Sequence, residues 1–136
     1  MILENFKNIF SGPDSWLRLL LAAIFLSAGI FRIFNPAAAG LEMRLLGLPA
    51  FLSWLVMVLE IVAGLCLLFK KWHRQASFIL AAFVFLALLW AVIRGGAGIF
   101  AGAEELFVFN LEATDFFLHF VFLVILVVLA QKAGRR

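Results

Sequence analysis

Apolar residues along this chain fall into four long runs separated by short polar or glycine/proline breaks. The first spans about Trp16 to Phe34 and stops at Asn35-Pro36. The second spans about Phe51 to Phe69, after Gly47-Leu48-Pro49. The third spans about Ala76 to Arg94 and ends at Gly95-Gly96. The fourth spans about Thr114 to Gln131. At a helical rise of 1.5 Å per residue, runs of this length reach roughly 27 Å, close to the hydrocarbon thickness of a bilayer. The runs do not alternate between apolar and polar, as the strands of a membrane barrel do. Within lipid that leaves helices, whose backbone polar groups are satisfied inside each segment. The pattern predicts an all-α polytopic membrane protein, a bundle of four transmembrane helices forming a single domain over residues 1–136.

Shorter elements flank the runs. In the first ten residues Ile2, Leu3, Phe6, Ile9 and Phe10 recur at helical spacing among Glu4, Asn5, Lys7 and Asn8. Residues 1–12 are therefore expected to form an amphipathic helix lying in the interface. A continuous apolar core with a small-residue cleavage site, the mark of a signal peptide, is not expected there. Asp14 or Ser15 is placed to cap the first span, with Trp16 as an interfacial anchor. Pro36 to Leu48 reads as a short helix. Ile99 to Phe109 mixes Phe100, Leu106, Phe107 and Phe109 with Glu104 and Glu105. Both segments suit the outer mouth of the bundle, as a lid or as plain interfacial segments.

Composition supports a lipid environment. Of 136 residues, 66% are hydrophobic and 14% charged, against about a quarter charged in soluble domains. Tyr is absent, while Phe occurs 17 times. Basic residues set the orientation. Lys7 and Arg18, then Lys70, Lys71 and Arg74, then Lys132, Arg135 and Arg136 share one side of a four-span protein, and they are eight of the 11 basic residues. That predicts that both termini are cytoplasmic. The net charge of +3 is dispersed, and no basic patch with interleaved aromatics points to nucleic acid. The single cysteine, Cys66, excludes an internal dithiol and reads as a small apolar residue. His73 reads as a solvated loop residue. It lies at the opposite membrane face from His119, so the two cannot ligate one haem.

Candidate chemistry comes from the few polar residues within the runs: Arg32, Glu60, Arg94, Asp115 and His119. Ionisable groups at such depth are costly and point to a function with a nameable partner. Glu60 falls at mid-run, His119 about 5 Å and Arg32 about 10 Å to the outer side, and Arg94 and Asp115 near the outer boundary. Ala63 and Gly64 follow Glu60 on one face, as Ala28 and Gly29 precede Arg32, so both charges should point inward. Glu60 is expected to pair with Arg32, Arg94 or a protonated His119, and Asp115 lies one turn from His119. Three readings stay open: a structural charge network, a site for a small polar or amphiphilic molecule such as a quinone, and a metal site from Glu60, Asp115 and His119. Arg32 and Arg94 argue against adding a cation there.

The stretch from Arg18 through Ser27-Ala28-Gly29-Ile30-Phe31-Arg32 to Pro36, then Gly47-Leu48-Pro49 and Leu59-Glu60-Ile61-Val62-Ala63-Gly64, resembles the DoxX family of small four-span bacterial and archaeal membrane proteins. The likeness covers about residues 16 to 93. The family pattern carries a small residue and Gly before a basic residue, usually Lys, which is Arg32 here, and a Glu with Gly four residues later, here Glu60 and Gly64. The resemblance implies a four-helix bundle in the plasma membrane. It also implies association with oxidoreductase assemblies, such as thiosulfate:quinone oxidoreductase, or with thiol and oxidative-stress complexes. Taken with the polar residues inside the runs, this makes Glu60 and His119 the expected catalytic residues, Arg32, Arg94 and Asp115 the expected substrate-binding residues, and quinone the expected cofactor class. Expected partners are the lipid bilayer, a redox subunit and, through Phe-rich faces, a second copy. The alternative is a non-catalytic amphiphile-binding or transport protein, or a membrane scaffold.

Overall fold

The computed structural model describes residues 13–95 and 111–134, with side chains omitted at 111–117 and 134. Among the described residues there are five helices and no strand: α1 (Pro13–Phe34), α2 (Pro36–Leu45), α3 (Leu52–Leu68), α4 (His73–Gly95) and α5 (Leu111–Gly134). Two of them, α1 and α4, are long and apolar enough to cross a membrane. The 17-residue α3 and the 118–133 portion of α5 are shorter apolar helices. The expected interfacial helix at residues 1–12 and the Ile99–Phe109 segment lie outside the described residues.

Helix limits follow local chemistry. α1 begins at Pro13, which suits a first turn because its missing N–H would be unpaired there anyway. Asp14 thus lies in the first turn, where a carboxylate complements the helix dipole. α1 ends at Phe34, where the Asn35 side-chain amide donates to the Phe31 carbonyl at 3.0 Å, and Pro36 then opens α2. α2 closes in a Schellman arrangement: Leu48 N–H donates to the Met43 carbonyl at 2.8 Å and Gly47 N–H to that of Arg44 at 2.9 Å. Gly47 sits at φ +71°, the left-handed conformation this turn requires. His73 is the first residue of α4 rather than a loop residue, and its Nδ1 lies 2.7 Å from the Lys70 carbonyl oxygen.

The four long helices pack as two antiparallel pairs. α1 lies along α3, with Gly29 against Met57 and Ile61, Gly64 against Leu26, and Arg32 opposite Glu60. α4 lies along α5, Arg74 with Gln131 at one end and Phe83 with Phe122 toward the other. Contact between the pairs is sparser. The tight core lies toward the basic end, where Leu21, Leu67, Leu80 and Leu126 are fully enclosed. The opposite half is looser and holds the site described below.

Apolar side chains also cover the outside. Phe34, Leu55, Phe78, Leu86 and Ile93 are all broadly exposed. Helices apolar on every face suit an apolar surrounding, not water.

Candidate functional site

The site is organised by one guanidinium. Arg32, in the last turn of α1, donates from Nη1 to Glu60 Oε2 at 3.0 Å. Its Nη2 donates to both carboxylate oxygens of Glu42 on α2, at 3.0 and 2.9 Å. The Glu60 side chain is 7% exposed, that of Arg32 13% and that of Glu42 49%, so the bridge runs from the interior to the surface. Arg32 Nε is buried without a hydrogen-bond partner among the described residues.

Helix α3 delivers Glu60 because Ala63 and Gly64, the small residues of the same face, let α1 come close. A Cβ on Gly64 would lie 3.0 Å from Leu26 Cγ, and one on Gly29 would lie 2.6 Å from Ile61 Cγ1. These two glycines bring the backbones within reach of the Arg32–Glu60 bond. Helix α2 delivers Glu42 by a different route. Its Ala39 and Met43 are buried, and Glu42 adjoins that face.

Below α2 lies a cavity of about 470 Å³, within the range of roughly 300–1,000 Å³ common for small-molecule sites. Arg32, Glu42, Glu60 and His119 supply its polar wall, and Phe25, Val84, Trp90 and Phe122 part of its apolar body. His119 stands edge-on to Phe122, with ring centroids 6.0 Å apart. Leu55, Leu86 and Ile93 also line the cavity and are broadly exposed, so it opens sideways between α3 and α4. Trp90 fastens the roof: its indole N–H donates to the Leu46 carbonyl at 2.9 Å, tying the end of α2 to α4.

Of the residues expected from the sequence, Arg32, Glu60 and His119 line the same cavity. Arg94 does not join them. Its guanidinium packs on the Gly47 turn, where a Cβ would lie 2.7 Å from Nη2. Asp115 falls on α5, but its side chain lies outside the described residues. Two features were not singled out from the sequence. Glu42 falls in the short helix expected over Pro36 to Leu48, outside the four apolar runs from which the candidates come. Arg18 was counted as an end charge, yet it is buried within α1, with Nη2 3.2 Å from Ser15 Oγ. Buried polar groups are therefore not confined to the end of the bundle that holds Arg32 and Glu60. Cys66 is half-buried and carries a free thiol.

Helices throughout the described residues, with apolar exteriors and charges gathered on a cavity between them, are the build of a small helical membrane protein. The DoxX family profile matches residues 14–94, more than half of the chain, and the chain belongs to the DoxX family. No curated protein and no solved structure matches it.

Proposed function

We infer that this DoxX protein is a four-span subunit of a plasma-membrane redox system, with its termini in the cytoplasm, and that its cavity receives a quinone headgroup. The observation that carries this reading is the combination of an apolar cavity open sideways between α3 and α4 with a polar wall of Arg32, Glu60 and His119. A quinone matches both parts. Its isoprenoid tail suits the lateral opening, and its ring oxygens exchange hydrogen bonds and protons with the polar wall.

Oxidation of a quinol releases protons and electrons in equal number. Glu60 and His119 line the cavity and are the groups that accept or return those protons. Arg32 holds the Glu60 carboxylate through one oxygen, and Glu42 anchors Arg32 from the other side. The electrons pass to or from a partner subunit. Arg94 and Asp115 serve the outer mouth, where a headgroup arrives. The whole chain acts as one membrane domain in this reading.

The test is extraction of quinone from gently purified protein, read by absorption, together with quinone-linked respiration in a strain carrying Glu60→Gln. Bound quinone in the wild type and reduced respiration in the variant are expected. If no quinone co-purifies and respiration is unchanged, the redox role is wrong. If the variant only lowers thermal stability, Glu60 belongs to a structural charge network in a scaffold or amphiphile carrier.

A further inference from the structure

A second concavity lies far from Arg32, on the outer surface between α4 and α5. It measures about 840 Å³. Phe78 and Phe85 of α4 and Leu123 and Val127 of α5 form its walls, and Ala82 and Ala130 leave the space between them. Phe78 is 70% exposed, so nothing within the described residues covers the slot. Arg74, Gln75 and Gln131 stand at one end.

Length and charge together identify an occupant. From Arg74 to Phe85 is eleven residues of helix, or about 16 Å along the axis. Half the hydrocarbon thickness of a bilayer is about 15 Å. The slot therefore runs from headgroup level to the membrane midplane, the length of one acyl chain in one leaflet. Its polar end is the basic end of the molecule. Arg74 stands there with Lys70 and Lys71 nearby in sequence, and Arg74 makes no ion pair among the described residues. The described carboxylate at that end, Asp14, is bonded by Lys132 at 2.9 Å. Trp72 is exposed beside Lys71, whose ammonium lies 5.8 Å from the ring, an arrangement suited to the headgroup layer.

We propose that the α4/α5 groove is a binding site for an anionic phospholipid, its phosphate on Arg74 and the two glutamines, and one acyl chain between Phe78, Phe85, Leu123 and Val127. A second copy of the chain fits this surface poorly. A twofold axis along the membrane normal would set Arg74, Lys70 and Lys71 against their own images, a like-charge contact with no described acid left to offset it, since Asp14 is taken by Lys132. The proposal rests on the protein lying in a membrane and is independent of the quinone cavity, in which none of these groove residues takes part.

The experiment is native mass spectrometry of the detergent-purified full chain titrated with dioleoyl phosphatidylglycerol or dioleoyl phosphatidylcholine. One phosphatidylglycerol is expected to bind in preference to phosphatidylcholine, with Arg74→Glu lowering that affinity by at least about fivefold, the scale of one basic charge at an anionic membrane surface. Ala82→Phe, which fills the slot without touching charge, should weaken both lipids, with helicity checked by circular dichroism. Equal affinity for the two lipids, or an Arg74→Glu variant that binds phosphatidylglycerol like the wild type, overturns the proposal. A dimer that Ala82→Phe abolishes overturns it in favour of a second copy. Quinone content of the same samples reports separately on the cavity.

Discussion

Arg32 and Glu60 meet at 3.0 Å across two antiparallel helices, and the same Arg32 grips Glu42 on the helix that roofs them. One guanidinium thus joins the deepest carboxylate of the site to a surface one. Arg suits this role because its planar fork presents several donors in fixed directions, which a lysine ammonium cannot do with the same geometry.

That arrangement orders the effects of removing each partner. Arg32→Ala strands the buried Glu60 carboxylate, a change that costs about 3–5 kcal/mol when a buried pair is broken. Glu60→Gln keeps an oxygen to accept from Arg32 and should cost less. Glu42→Gln touches a half-exposed pair worth about 0–1 kcal/mol. Thermal unfolding in detergent should rank the three in that order. An Arg32→Ala protein as stable as Glu42→Gln would show that the Arg32–Glu60 bond contributes little.

The close approach of α1 and α3 gives a second test. A Cβ on Gly29 meets Ile61 Cγ1 at 2.6 Å and the Met57 carbonyl oxygen at 3.3 Å, whereas one on Gly64 meets Leu26 Cγ at 3.0 Å. Forced overpacking typically costs about 1–3 kcal/mol. Gly29→Ala should therefore lower the melting temperature more than Gly64→Ala, and the larger Gly29→Leu should lower it further.

Trp90→Phe removes the indole hydrogen bond to Leu46 while keeping an aromatic ring in the cavity wall. A single such bond contributes about 1 kcal/mol, so global stability should fall little. Hydrogen exchange should instead rise selectively over α2, Pro36–Leu45. Uniform acceleration across all helices would mean that Trp90 supports the whole packing rather than the roof.

Orientation can be read with cysteines placed one at a time in a Cys66→Ala background. Arg44→Cys, on exposed α2, should react with a membrane-impermeant maleimide in intact cells. Gln75→Cys, at the basic end, should react only after permeabilisation. The reverse pattern would turn the molecule over and put the cavity on the cytoplasmic side.

Much of this fold is legible in the sequence because its signals are local. The apolar runs marked the long helices to within a few residues at most ends, and the break at Asn35-Pro36 marked the start of α2. α1 and α4 each begin three residues ahead of their apolar runs, since polar residues such as Asp14 and Arg74 are acceptable in a first turn. The Glu60 and Arg32 faces were visible from their small neighbours. What spacing could not supply was helix order. Arg32 and Arg94 were equal candidates for Glu60 until the α1/α3 pairing brought one near and left the other on the Gly47 turn. Glu42 was missed because a short helix of mixed composition reads as interfacial, and only its packing reveals that Met43 and Ala39 turn the neighbouring carboxylate toward Arg32.

The sharing of Arg32 also selects what the cavity can hold. Its guanidinium carries a single positive charge against two carboxylates, so this corner is neutral if one of them is protonated and negative if neither is. While either carboxylate is ionised it offers no spare positive charge. Fatty acids and other anionic amphiphiles would find the lateral opening but no counter-ion at Arg32, while an uncharged headgroup with hydroxyl or carbonyl oxygens would meet no repulsion. The same bridge that fastens α2 over the cavity thereby acts as its charge filter.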